Sequence, residues 1–406
     1  MEKRFEPSSY EQTWQERWAA RGYFEAADVS DRPAYCILIP PPNVTGKLHM
    51  GHALQSTIQD LLVRWRRMQG YNALWLPGTD HAGIATQLMV ERDLERQGTS
   101  REALGREEFL RHTWAWKEKY HGNIRRQLDQ LGASCDWRRE RFTLDEQLSE
   151  SALHAFVELY RRGLLRRAEY MVNWSPGLKT AVSDLEVEMR EVQGHLYHIA
   201  YAVPGRDQPI VVATTRPETM LGDTAVAYHP DDERYTDLAG RAATLPILGR
   251  ELPFVADDVV DREFGTGLVK VTPCHDPTDF EIGQRHGLAS IQVIDERGRM
   301  TAAAGDEFAG MDRFAAREAV VERLRRDGAL VGVEAHTHNV GHCQRSGVPV
   351  EPMISLQWFL DVDAMARRAL AANRDGSLEL VPASWDKTWE HWLDNIRPWC
   401  VSRQLW

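Results

Sequence analysis

The sequence predicts an α/β host built on a parallel sheet and interrupted by a separate mixed β/α domain. Three observations carry that reading. An apolar strand, YCILI (35–39), runs through the loop PPPNVTGKLHMGH (40–52) into a helical pattern and then a second strand, NALWL (72–76). Strand, loop, helix, strand is one βαβ unit, whose ligand crevice lies at the carboxyl ends of its strands. Fourteen tryptophans divide unevenly: eight fall from Trp14 to Trp174, six from Trp358 to Trp406, and none between. The tryptophan-free middle instead holds short β-prone runs bounded by turn residues, IVVATT (210–215), TAVAY (224–228), GLVKVTP (267–273) and IQVID (291–295).

Composition bounds the rest. The 406 residues suggest two or three domains at roughly 150 residues each. With 43% hydrophobic and 27% charged residues, an ordinary core is possible and wholesale disorder is excluded. No apolar run approaches the ~18 residues of a membrane span, and the first twenty residues hold no apolar signal core. Cys36, Cys135, Cys274, Cys343 and Cys400 stand apart without a C-x-x-C pair, so the expectation is a cytoplasmic protein with no membrane association and no disulfide framework. A net charge of −11, from 60 acidic and 49 basic residues, does not suit a chain held to nucleic acid by bulk charge. A nucleic-acid partner would need a local patch: Arg64, Arg66 and Arg67; Arg138, Arg139 and Arg141; or Arg161, Arg162, Arg166 and Arg167. Solvated helix faces are the plainer reading of each run.

In chain order, the first helix is expected to be capped at Ser8, with Glu11 three residues on and Trp14 and Trp18 one turn apart. After the loop, Leu54, Ile58, Leu61, Leu62, Trp65 and Met68 fall on one helical stripe stopped by Gly70. The second strand runs into PGTDHAG (77–83) at the same sheet edge as the first loop. Late in the middle segment, Phe314, Val321 and Leu324 mark a helix ending at Gly328. The division follows: 1–191 is an N-terminal helix with the first half of the host, 192–336 the insertion, and 337–406 the return.

The prolines after Ile39 stop the strand, Gly46 frees the backbone for close approach to a ligand, and His49 and His52 stand at the mouth of the helix with Gly51 between them. Unpaired N–H groups and positive partial charge at a helix start suit phosphate, and two imidazoles there can donate to its oxygens. A metal reading, His49 and His52 with His81, lacks an acidic or cysteine ligand.

PPPNVTGKLHMGHAL resembles the HIGH-type signature of class I aminoacyl-tRNA synthetases, in the form of the valine branch. PGTDHAGIATQ (77–87), NWSPGLKTAVSDLEVE (173–188) and WLDNIRPWCVSRQLW (392–406) resemble the same branch. The resemblance implies a Rossmann-type catalytic domain that activates valine with ATP and Mg²⁺ and passes it to its tRNA. By position, His49, Gly51 and His52 would hold the ATP phosphates, Pro41 and Asn43 would line the valine pocket, and Asp80 would pair with the valine ammonium.

ATTRPETMLGDTAVA (213–227) and GTGLVKVTPCHDPTDFEIGQRHG (265–287) resemble the two signatures of the editing domain of that branch, implying a mixed β-barrel/α insertion that hydrolyses mischarged Thr-tRNA. Thr215, Thr219 and Thr272 offer hydroxyls; Arg216 and Lys270 can meet the tRNA end or orient carboxylates; Asp276 and Asp279 can bind an ammonium. By family position Asp279 takes the ammonium and Asp276 supports it, while helix capping is the plainer role of the acidic pair.

Two departures stand out. Some relatives place a zinc-binding cysteine pair after Asn-Trp; here Ser175 and Leu178 stand there, and Cys343 has Ser346 three residues on, so no zinc is expected. Cys274 replaces a more usual small residue without consequence. Neither a KMSKS-type loop nor an anticodon-reading domain follows Trp406, so the sequence reads as the N-terminal part of a longer, monomeric enzyme, poorly able to activate valine alone. A free-standing Thr-tRNA deacylase and a non-catalytic tRNA- or nucleotide-binding remnant are the alternatives. Intact His49, His52 and Asp80 favour the ligase.

Overall fold

The computed structural model describes residues 6–263 and 265–406. It divides into two compact units: one runs to Glu158 and includes Leu405–Trp406, the other is Leu159–Gln404. Among the described residues no helix is long and apolar enough to cross a membrane.

In the first unit a 3₁₀ turn, Pro7–Ser9, precedes the helix Glu11–Ala20, whose cap position is Tyr10 rather than Ser8. The Ser8 side chain lies outside the described residues. Trp14 and Trp18 pack one turn apart with tilted rings, 6.3 Å between centroids. The strand Ala34–Leu38 pairs in parallel with Asn72–Leu76, and the helix Met50–Met68 connects them. A second parallel pair, Gly78–Thr79 with Arg141–Phe142, lies just beyond. A Cβ on Gly78 would sit 2.8 Å from the Arg141 carbonyl oxygen, so this approach requires glycine. Ile39, Val44, Val63, Trp75, Ile124 and Leu128 form the core, the last two supplied by the long helix Arg106–Gln130.

One expectation about this unit, the solvated basic runs, is corrected, and the apolar helical stripe gains a defined environment. The helix Met50–Met68 turns Ser56 and Val63 inward, while Leu54, Ile58, Leu61, Trp65 and Met68 remain 48–87% exposed. Helical spacing identifies an apolar face but says nothing of what covers it. Members of the two basic runs in this unit are held structurally: Arg64 donates to the Gly132 carbonyl (2.6 Å), Arg67 to those of Ser134 (2.8 Å) and Phe24 (3.2 Å). Arg138 and Arg139 converge on the buried Asp136, each 3.3 Å or less from a carboxylate oxygen.

In the second unit the strands Leu165–Ser175 and Glu351–Leu360 pair antiparallel, flanked by Thr180–Val182 and Trp399–Cys400. Two long antiparallel strands, Val187–Tyr201 and Leu330–Cys343, lead the chain into and out of the middle segment, with Ile210–Thr214 beside the first. A mixed four-stranded sheet follows, ordered Ala242–Thr244, Glu251–Ala256, Ala225–Tyr228, Leu268–Val271. Its one parallel pair is Ala225–Tyr228 with Glu251–Ala256. Both sheets are open: no closed barrel is formed among the described residues. IQVID contributes only an isolated bridge, Ile294 to Met300, because Val293 and Ile294 serve as fully buried core in a non-ladder segment. The helix Arg313–Arg326 buries Ala316, Val320 and Leu324 and leaves Phe314 partly exposed.

Candidate functional site

In the first unit, the loop after Leu38 and the turn before Gly83 are joined by backbone bonds. Asp80 N–H donates to the Pro42 carbonyl (2.9 Å), and Val44 N–H to that of Asp80 (3.0 Å). Asn43 and Asp80 face each other as a parallel bridge, so Pro41, Asn43 and Asp80 belong to one strand-end cluster. Asp80 Oδ1 accepts from Ala82 N–H (2.7 Å) and the Thr143 hydroxyl (3.2 Å). The first of these bonds holds Ala82 in the left-handed region, φ 48°, at the start of the helix Gly83–Arg96. Among the described residues no partner engages Asp80 Oδ2, and the side chain is 37% exposed, which leaves half the carboxylate open to a ligand.

His49 and His52 take up the helix mouth reciprocally. Gly51 N–H donates to His49 Nδ1 (3.1 Å), and His49 N–H donates to His52 Nδ1 (3.2 Å). With both Nδ1 atoms acting as acceptors, each neutral ring carries its proton on Nε2 and presents that N–H as a donor. The rings lie 3.9 Å apart between centroids. Burial, then the neighbouring His49, holds the His52 imidazole below its ordinary value. A Cβ on Gly51 would come within 3.1 Å of two atoms of the His49 ring, so glycine here preserves that placement. Around Gly46 nothing lies within 4 Å of such a Cβ, and no contact in the structure demands glycine there.

In the second unit Lys270, Thr272 and Asp279 of the later motif come together with Asp223 of the earlier one. Its backbone N–H donates to Asp279 Oδ2 (2.8 Å), its hydroxyl donates to Asp223 Oδ1 (2.6 Å), and Lys270 Nζ donates to that hydroxyl oxygen (2.6 Å). Tyr201 donates to the other Asp223 oxygen at 2.7 Å. Burial pushes the Asp279 carboxyl up to about 7 against the pull of Lys270. Burial alone would lower the Lys270 ammonium, but the carboxylates of Asp223, Asp279 and Asp276 outweigh it and hold it above its usual range. Asp276 caps the helix Pro277–His286, its Oδ1 accepting from Thr278 and Asp279 N–H at 2.8 and 3.1 Å.

Arg216 is held by neighbours: Nε meets Glu218 Oε1 (3.3 Å), Nη1 the His275 carbonyl (3.5 Å) and Nη2 the carboxylate of Glu351. Glu218 is fully buried. Burial would raise its carboxyl, but the two bonds from Arg317 at 2.8 Å and the charge of Arg216 keep it below the usual range. Thr219 donates to the Arg216 carbonyl (2.9 Å) and is buried; among the described residues no partner engages the half-buried Thr215 hydroxyl. Sequence reading missed Asp223, Tyr201, Glu218 and Glu351. Asp223 and Glu218 lie inside a quoted motif, and the signal available was that a carboxylate in an otherwise apolar, buried run requires partners. Among the described residues no group of three His, Cys, Asp or Glu side chains is arranged to hold a metal.

A family model described as tRNA synthetases class I (I, L, M and V) matches residues 13–406. Curated relatives include a Geobacter sulfurreducens protein named valine–tRNA ligase, 55% identical over all of this chain and 46% of its own length. Proteins of the same name from Halalkalibacterium halodurans and Thermotoga maritima are 53% and 52% identical, over 100% and 99% of this chain and 46% of theirs. The chain thus spans about half the length of the curated relatives it matches. A solved LeuRS–tRNA–LeuAMS complex from Agrobacterium radiobacter K84 aligns over 86% of this chain and 49% of that one, at 19% identity and a TM-score of 0.42.

Proposed function

The chain belongs to the class I tRNA synthetase family of the I, L, M and V enzymes, and from that membership we propose that it supplies the valine-activating loop and an editing site of a valine–tRNA ligase. The observation that carries the proposal is the His49–His52 pair, two Nε2–H donors at a helix N-terminus on a loop tied by backbone bonds to Asp80. Identity of 52–55% to proteins named valine–tRNA ligase supports the choice of amino acid.

In this reading Asp80 Oδ2 pairs with the valine ammonium and aims the valine carboxylate at the α-phosphorus of ATP. A carboxylate oxygen forms the new P–O bond, the bond to the β-phosphate oxygen breaks, and pyrophosphate leaves with the electron pair. No protein nucleophile is needed. His49 and His52 donate to phosphate oxygens whose charge grows in the transition state, the kind of contact worth roughly 100-fold or more when removed. Magnesium enters with the nucleotide and neutralises phosphate charge. The adenylate then passes valine to a terminal ribose hydroxyl of tRNA, releasing AMP.

The Thr272-centred cluster supports a hydrolytic second step. An apolar pocket rejects threonine poorly, and the valine enzymes are themselves the known example of that limit, about a hundredfold. Asp279 would take the ammonium of a mischarged threonine while water attacks its ester carbonyl, freeing threonine and tRNA. Because Thr272 and Thr219 donate their protons to Asp223 and the Arg216 carbonyl, Thr215 is the hydroxyl of the three still free to donate to the threonine side chain.

The test is ATP–pyrophosphate exchange by the complete gene product carrying these residues, with valine, isoleucine and leucine compared. Valine should be preferred; faster exchange with isoleucine at equal concentration refutes the reading. Asp80→Asn keeps an oxygen for the Ala82 N–H but loses the charge, and should raise the KM for valine roughly 30- to 100-fold, about 2–3 kcal/mol. An unchanged KM returns Asp80 to a purely turn-forming role.

A further inference from the structure

The helix Arg106–Gln130 lies outside every motif read above, yet two of its side chains grip the phosphate loop by the backbone. Trp116 Nε1 donates to the Val44 carbonyl at 2.9 Å. Eleven residues on, about 16 Å along the helix, Gln127 Oε1 accepts from Leu48 N–H at 2.9 Å and its Nε2 reaches the Leu48 carbonyl at 3.4 Å. The two anchor points bracket the loop. Val44 is the residue bonded to Asp80, and Leu48 immediately precedes His49. Ile124 and Leu128 fix the helix in the core beside Val44 and Trp75, so its register is set by packing that involves no ligand. Gln127 also borders, with His49, Met50 and Leu131, an open cavity of about 410 Å³ at the helix mouth.

Resting on the reading of His49 and His52 as nucleotide ligands, we propose that Gln127 and Trp116 are positioning residues. Gln127 fixes the nucleotide end of the loop and Trp116 its amino-acid end. A loop of prolines and glycine lacks regular hydrogen bonds of its own, so its imidazoles would otherwise sample many placements, and misplacement by about 1 Å can cost 100-fold. Leu48 determines where the helix N-terminus and the two Nε2–H donors stand; Val44 determines where Asp80 stands. The roles therefore separate by substrate.

The experiment is steady-state pyrophosphate exchange by the complete gene product, varying ATP and valine in turn. Gln127→Met keeps the volume and removes both bonds; it should raise the KM for ATP about tenfold and leave that for valine within about twofold. Trp116→Phe keeps an aromatic, though smaller, ring and removes the donor, and should show the reverse pattern. Gln127→Glu retains the acceptor for Leu48 N–H, and its KM for ATP should lie between wild type and Gln127→Met. Equal changes in both KM values, or none, in Gln127→Met or Trp116→Phe overturn the positioning roles, because a merely structural defect does not sort by substrate. His52→Ala is the control for the underlying reading: if it leaves exchange intact, the nucleotide site itself is wrong. Lost exchange in His52→Ala with unaltered KM values in Gln127→Met leaves that site standing and refutes only the brace.

Discussion

On the proposed function, Asp279 is subject to two opposed demands. Burial raises its carboxyl to about 7, whereas pairing with an ammonium requires the carboxylate. A bound ammonium resolves the conflict by lowering the pKa, so the free site is the species that titrates near neutrality. The kcat/KM for threonine release from charged tRNA should fall with a one-proton slope below about pH 7, and Asp279→Asn should be slow with that slope gone. Stability follows the same shift. A carboxyl raised above its unfolded value of about 3.9 holds its proton more tightly when folded; its contribution is full below that value and is lost as pH rises through about 7. Asp279→Asn, whose amide oxygen can still accept the Thr272 N–H, should therefore melt above wild type near pH 8, the gap closing toward pH 5. Thermal denaturation at the two pH values decides it; a variant that melts lower at the alkaline value refutes the raised carboxyl.

Among the elements, the helix Met50–Met68 shows what a sequence can and cannot convey. Its ends were legible: the His49 start and the Gly70 stop follow from local chemistry, and both strands of the βαβ unit fall within a residue of their expected limits. Its packing was not, because Leu61 at 68% exposure and Val63 at 0% differ in environment rather than in type. Leu61→Glu should consequently change stability by no more than about 0.5 kcal/mol, against 2–5 kcal/mol or so for truncating a core leucine such as Leu94. Urea unfolding of the two variants checks the contrast, and a large loss in Leu61→Glu would show that the stripe is covered in solution. The candidate site was legible to a similar degree. Spacing brought His49, Gly51 and His52 to one helix mouth, and the last motif (265–287) supplied Lys270, Thr272 and Asp279. Asp223 and Gln127 were not legible as partners because their bonds, 49 residues apart in sequence to Thr272 and 79 to Leu48, depend on tertiary packing alone.

For the whole molecule, the placement of the clusters matters more than the net charge of −11. His49, His52 and Asp80 stand on the core of Ile39, Val44 and Trp75, whereas Asp279, Lys270 and Thr272 belong to the compact unit of residues 159–404, which has cores of its own. No described side chain is shared between the two clusters, so each of the two proposed activities should be lost independently of the other. Substitutions without common partners act additively. Asp80→Asn should lose valine activation yet release threonine from pre-charged tRNA within about twofold of wild type. On the proposed function, Asp279→Asn should activate valine normally yet let Thr-tRNA accumulate, since the activation pocket of the valine enzymes alone excludes threonine only about a hundredfold. The double variant should show both defects at their single-variant size. The measurement is exchange with valine alongside threonine release from charged tRNA, on the same three preparations. If Asp80→Asn also abolishes threonine release while its circular dichroism is unchanged, the two clusters are one coupled site and the division of labour argued here is wrong.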